Sequence, residues 1–376
     1  MAQSRYRSKY RPEFDGIRAL AVLGVLFYHV GLVPWGWVGV PLFFVLSGHF
    51  VTRTLLKDPA ATRTRRARGF ARNRLLRLAP LHLAFCAVLT VLAAVHYGDG
   101  SIGRNLPYLW TWTFDLTTMA HDFRPTSMQL YTHMWSLAVE VQAYVLWALL
   151  ALLLPRRWLV RTLVVLALAG PVLRVALWLV LTGTGHPPEL RPVTLYTSPV
   201  TYADAFAAGA LTALDEVRAR LRTVARVMPA LFAAVTAGLA VHALADGRGL
   251  PGDLGFPILL ADRYGWVWQY TLLAWVFAAA VLLVHDRPAS DAGLLGRAPL
   301  VRVGVISYGV YVVHVPLLGV VQRVRGGEDV PWSTAGLLVA VTVLGAALLL
   351  AEASYRHLEH PFLRRKRDGL LSPPAP

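Results

Sequence analysis

Arg18 and His29 stand in an otherwise apolar stretch, Phe14 to Val33, long enough to cross a bilayer. Ionisable side chains inside a span are costly, so by default they face a protein interior and mark a functional site. Their separation of eleven residues is three helical turns plus about 20°, which places both on one helix face, about 16 Å apart along the axis. One end of that face offers a fixed cation for phosphate or carboxylate; the other offers an imidazole that can take a proton from a hydroxyl. On position alone, Arg18 could also snorkel to the headgroups. Asp15, three residues earlier, can cap the helix or pair with Arg18. Two further polar stripes follow helical spacing: His133, Ser136, Glu140 and Tyr144, then Ser307, Tyr311 and His314. A carboxylate such as Glu140 must meet a partner or water in hydrocarbon. The hydroxyls of Ser136, Tyr144, Ser307 and Tyr311 suit interhelical hydrogen bonds. His49, His82 and His133 read as packed histidines. Arg74 and Arg77 at the entry of a third span, with Arg18 near them, suggest a cationic mouth for an anionic, phosphate-bearing ligand. Beyond it, His29, Glu140 and His314 are expected to share one depth.

The elements that must hold these groups are membrane helices. The chain is 56% hydrophobic and 15% charged, with a mean hydropathy of +0.50, against roughly 25% charged residues in soluble domains. Apolar runs at 14–33, 36–56, 75–96, 133–154, 159–182, 199–214, 228–245, 266–284, 303–322 and 333–355 predict an all-α, polytopic integral membrane bundle of about ten spans. With the N-terminus in the cytoplasm, 28 of the 37 basic residues fall in cytoplasmic segments and seven in outer ones. That asymmetry predicts a multi-pass protein of the plasma membrane with both termini cytoplasmic. It also reads the net charge of +16 as loop charge facing the lipid bilayer and not as a nucleic-acid surface. Residues 1–366 are expected to form a single membrane domain and 367–376 a disordered tail. The first apolar stretch is too long for a signal peptide and is read as a retained span. The lone Cys86 excludes an internal disulfide. An aromatic run, Leu106 to Phe114, in the outer loop 98–131 reads as an interfacial or re-entrant segment, a candidate lid or acceptor surface.

Taken in order, the motifs resemble a known family. Phe14-Asp-Gly-Ile-Arg-Ala-Leu-Ala21, followed by His29, is similar to the opening of the acyltransferase-3 family of integral-membrane O-acyltransferases, whose hallmark is an arginine and a histidine separated by ten residues. Gly39-Val-Pro-Leu-Phe-Phe-Val-Leu-Ser-Gly48 resembles its second-helix signature. Phe70 with Arg74-Leu-Leu-Arg77 and Pro80 resembles its paired-arginine motif. His133-Met-Trp-Ser-Leu-Ala-Val-Glu140 with Tyr144 resembles its helix motif. Ser307-Tyr-Gly-Val-Tyr311 with His314 and Pro316, and Ser354-Tyr-Arg with Glu359 and Pro361, resemble its C-terminal signatures. Two positions depart from the pattern: His49 stands where an apolar or aromatic residue is usual, and Tyr202 where an arginine often precedes the aspartate equivalent to Asp204.

The resemblance implies transfer of an acyl group, commonly acetyl from acetyl-CoA, to a hydroxyl of a carbohydrate, cell-envelope glycan or secondary metabolite such as a macrolide sugar. The residues are compatible with it. An alcohol needs a base at the point of attack, while a thioester already carries a good leaving group. The expected roles are His29 as general base, Glu140 as its orienting partner, and Arg18, Arg74 and Arg77 as holders of the acyl-CoA phosphates. Asp15, Ser136, Tyr144, Ser307, Tyr311 and His314 are expected to support the site. No bound cofactor and no metal site are expected; acyl-CoA enters as co-substrate. A proton-coupled secondary transporter is the competing reading, since intramembrane Arg, His and Glu suit a carrier. No sequence repeat favours it.

Overall fold

The structure, a computed structural model, describes residues 10–58, 60–95, 100–120, 130–245, 264–288, 293–325 and 332–364. All the regular elements among the described residues are helices, and none is a strand. In chain order the helices are α1 (Pro12–His29), α2 (Gly39–Leu55), α3 (Arg63–Ala94), α4 (Ser101–Trp110), α5 (Thr117–Ala120), α6 (Met134–Leu153) and α7 (Arg156–Gly183). They continue with α8 (Arg191–Thr197), α9 (Ala203–Thr212), α10 (Asp215–Ala245), α11 (Gly265–Asp286), α12 (Ala298–Val305), α13 (Ser307–Arg325) and α14 (Thr334–Ser354). Local chemistry sets several boundaries. Pro12 opens α1, where its missing N–H costs nothing, and Glu13 and Asp15 favour the positive helix end. Thr62 caps α3 by accepting from the Arg65 amide at 3.3 Å, and Ser333 caps α14 through the Gly336 amide at 3.0 Å.

Seven of these helices are long and apolar enough to cross a bilayer, and α12 with α13, bent by 71° at Ile306, would make an eighth. Among the described residues the expected count of ten is therefore not confirmed. The first stretch, α1, holds Glu13, Asp15 and Arg18 within 18 residues, too many charges for a lipid-facing span. The stretch 199–214 resolves into a 3₁₀ turn and the ten-residue α9, about 15 Å long and so half the hydrocarbon thickness. Both are nonetheless central. Helix α1 packs on α2, α12 and α13, and α9 packs on α2, α7 and α11. Residues 204–212 are all buried. The described part of the loop 98–131 forms α4, a 3₁₀ turn and α5. The expected tail 367–376 lies outside the described residues.

Close approach and buried polar pairs lock this interior. At the α2–α9 crossing, a Cβ on Gly48 would lie 2.0 Å from the Phe206 carbonyl oxygen, and one on Gly209 would lie 2.0 Å from that of Val45. Only residues without side chains let the two backbones meet. Arg174 of α7 is fully buried. It donates to Asp204 of α9 at 3.1 Å, to the Thr201 carbonyl at 2.7 Å and to the Val267 carbonyl at 2.9 Å.

Prolines inside helices supply further fasteners. Pro171 has no N–H for the Ala167 carbonyl four residues back, and the Trp275 indole of α11 donates to that carbonyl at 3.2 Å. Pro316 likewise frees the Val312 carbonyl, which accepts from His133 Nε2 at 3.1 Å. A local backbone deficit in one helix becomes a bond to its neighbour.

Candidate active site

A cavity of about 780 Å³, its open mouth included, lies between α1, α2, α3, α6 and α13. Its polar lining gathers residues from all five helices: Arg18, Ser47, Arg74 and Arg77, Glu140 and Tyr144, and Tyr311. Ser136, Ser307 and Tyr308 also face it. Arg18 pairs with Asp15 at 2.8 Å and lies 4.8 Å over the Phe50 ring. Asp15 also accepts from the Tyr10 hydroxyl at 2.6 Å, so it anchors Arg18 from behind and does not itself line the cavity. Arg74 lies over the rings of Tyr144, at 4.7 Å, and Phe70, at 5.4 Å. Arg77 donates to the Val305 carbonyl at 3.4 Å. Neither Arg74 nor Arg77 has a carboxylate at ion-pair distance among the described residues. Two guanidinium groups with spare donors therefore face one concave space, which suits a polyanion.

Glu140 sits in this same cavity. Its Oε1 accepts from Ser47 Oγ and, at 2.5 Å, from the Tyr144 hydroxyl. Among the described residues no hydrogen bond joins it to His29, which it was expected to orient. The carboxylate faces α2 and its own helix, where two hydroxyls meet its demand for donors, and it shares a chamber with the arginines. The neighbour of His29 is His314: Nδ1 of His29 lies 3.2 Å from Nε2 of His314, with ring centroids 4.9 Å apart. His133 stacks edge-on to His314 at 5.3 Å. The three histidines form a cluster beyond the cavity lining.

Tyr311 joins the two regions. Its hydroxyl meets Ser136 Oγ at 2.5 Å and donates to the His133 carbonyl at 2.9 Å, on the cavity side. Its own carbonyl lies 2.7 Å from His314 Nδ1. The stripes on α6 and α13 thus face each other. Sequence reasoning gave no role to Ser47, Phe50 and Tyr308. Ser47 and Phe50 are three residues apart, on the face of α2 that carries the Ser-Gly motif, and this spacing was the available signal.

The aromatic run Leu106 to Phe114 packs onto α3. His82 donates to the Leu109 carbonyl at 3.0 Å and stacks on Trp112 at 3.7 Å. Gln142 of α6 donates to the Trp112 carbonyl at 3.1 Å and to Asp115 Oδ1 at 2.7 Å. Burial pushes the Asp115 carboxyl up to about 6, against the pull of the Gln142 amide.

Residues 11–351 match the family described as an acyltransferase domain. The chain is 25% identical over 381 residues to the peptidoglycan O-acetyltransferase OatA of Listeria monocytogenes, an alignment covering 98% of the chain and 58% of that protein. It is 24% identical over 387 residues to the O-acetyltransferase OatA of Staphylococcus aureus, covering 97% and 59%. It is 28% identical over 374 residues to YrhL of Bacillus subtilis, covering 94% and 55%. The chain therefore spans under three-fifths of the length of these relatives. No solved structure matches it. Because the family match runs from the first turn of α1 to the last turn of α14, the chain belongs to the acyltransferase-3 family.

Proposed function

We propose that this chain is a membrane-embedded O-acyltransferase. It moves an acyl group, acetyl in the simplest case, from acyl-CoA to a hydroxyl of a carbohydrate. The named relatives favour a cell-envelope glycan of the peptidoglycan type over a small metabolite as acceptor. The observation that carries this reading is the cavity in which Arg18, Arg74 and Arg77 converge, joined through Tyr311 to His29 and His314. The guanidinium groups hold the donor's phosphates, while Glu140 balances their charge and fixes the Tyr144 ring under Arg74. His29 takes the acceptor's hydroxyl proton as the new oxygen–carbon bond forms. The hydroxyls of Ser136 and Tyr311, which rest on the His133 carbonyl, turn from it to donate to the developing oxyanion. The carbon–sulfur bond then breaks, and the thiolate receives the proton from His29. In this reading both termini lie in the cytoplasm, and so does the arginine end of α3.

The test uses cells lacking the gene, complemented with wild type or His29→Ala, with mass spectrometry of envelope glycans and small metabolites. Purified proteins are assayed for free CoA thiol released from acetyl-CoA in the presence of cell-wall glycan. Wild type should restore one acylated species and release thiol, and His29→Ala should lose about 10²–10⁴ in rate while remaining folded. A carrier would move substrate without stoichiometric thiol. Wild-type turnover in a folded His29→Ala variant would make His29 structural.

A further inference from the structure

The hydrogen bonds around the histidine pair assign its protons. A backbone carbonyl only accepts, so the nitrogen facing it must carry the hydrogen. His29 Nδ1 lies 2.9 Å from the Val25 carbonyl, which makes it N–H. His314 Nδ1 lies 2.7 Å from the Tyr311 carbonyl and 3.2 Å from that of Val310, which makes it N–H too. His314 Nε2 is therefore a bare lone pair, and the group 3.2 Å from it is the His29 Nδ1–H. Both the Val25 carbonyl and His314 hold that one proton in place. The lone pair of His29 is then forced onto Nε2.

We propose that His314 is the positioning residue of His29: it fixes Nε2 of His29 as the basic atom and shares the proton that Nε2 collects. This rests on the reading of His29 as general base. When the acceptor's O–H bond breaks, its proton goes to Nε2, the acceptor oxygen bonds the thioester carbon, and positive charge appears on the imidazole. The Nδ1 proton can then cross to His314 Nε2, where the Tyr311 and Val310 carbonyls stabilise the imidazolium at its other nitrogen. It returns as the carbon–sulfur bond breaks and Nε2 of His29 protonates the thiolate. An imidazole does here what a carboxylate does for other catalytic histidines, and it does so without bringing a charge into the bundle. The other titratable groups around the pair are Tyr28, whose ring centroid is 5.3 Å from that of His29, and His133 and Tyr311 beside His314. Among the described residues no Asp or Glu bonds any of the three histidines.

Nitrogen-15 spectra of the full chain in nanodiscs, labelled on histidine, test the tautomer directly, with His29→Ala identifying the signal. Wild-type His29 should show a protonated Nδ1 and an unprotonated Nε2. A proton on Nε2 of wild-type His29 would overturn the proposal. Thiol release from acetyl-CoA against pH tests the proton sharing. His314→Gln keeps an acceptor for the Nδ1–H but cannot take the proton, so its acid limb should move to lower pH with a rate loss of about tenfold. His314→Ala loses both functions and should fall by about 10²-fold or more. A rate loss with an unmoved acid limb in both variants would make His314 a packing residue. If even wild type releases no thiol, the acyltransferase reading fails, and the nitrogen-15 result still decides the tautomer.

Discussion

Arg74 lies between two aromatic faces with no acidic partner among the described residues, so its charge is oriented by rings and left available to a ligand. Arg74→Ala should weaken acyl-CoA binding by roughly 10- to 100-fold, the value of about 1.5–3 kcal/mol for a charge-assisted bond. Lysine should restore it only partly, because the point charge lacks the planar fork. Tyr144→Phe keeps the ring under Arg74 and removes only the bond to Glu140, so its effect on affinity should be well below that of Arg74→Ala. Saturation binding on purified variants separates these outcomes; equal losses would mean that Glu140, through Tyr144, and not the ring, positions the arginine. The pairing of Asp15 with Arg18 was legible because it spans three residues of one helix. The bond from Glu140 to Ser47 was not, because spacing along α6 says which face a residue occupies and nothing about which helix that face meets.

Helix α2 illustrates what a single element contributes. Its Gly48 meets α9 backbone to backbone, so Gly48→Ala forces the helices apart and should destabilise the fold by about 1–3 kcal/mol or more. Gly345 of α14 has open space around it, and Gly345→Ala should gain up to about 1 kcal/mol from helix propensity. Thermal unfolding in detergent distinguishes them; a neutral Gly48→Ala would mean that the crossing can relax. The segment before α5 carries a pH signature. The carboxyl of Asp115 is raised in the folded state, so its contribution to stability is full below about 4 and is lost as pH rises through about 6. Asp115→Asn should therefore flatten the fall in unfolding midpoint between about pH 4 and pH 6. Parallel wild-type and variant profiles would assign that fall to other groups. Hydropathy located the seven long helices, since each lies on an expected apolar run. It also marked α1 and α9, which length and composition do not single out as spans, because an apolar window does not distinguish a helix bathed in lipid from one wrapped by protein.

For the whole molecule, the division of basic residues implies that the start of α3 and the α4 segment lie on opposite sides of the membrane. Thr64 and Arg104 are both exposed, and the one native cysteine, Cys86, is buried. Impermeant thiol reagents applied to intact cells should label Arg104→Cys and spare Thr64→Cys. Strong outside labelling at Thr64 would invert the arrangement and place the arginine end of the cavity outside. Fold class and the helix motifs were readable because each is a property of one segment. The linkage of Glu140 to Ser47, and of His29 to His314, required the assembled bundle. The prolines of α7 and α13 carry a warning for protein engineers. Replacing a mid-helix proline with alanine is a common route to a sturdier helix. Here Pro316→Ala would restore an N–H that competes with His133 for the Val312 carbonyl, and Pro171→Ala would do the same to Trp275. In this bundle, a change that strengthens a single helix would loosen its grip on the next.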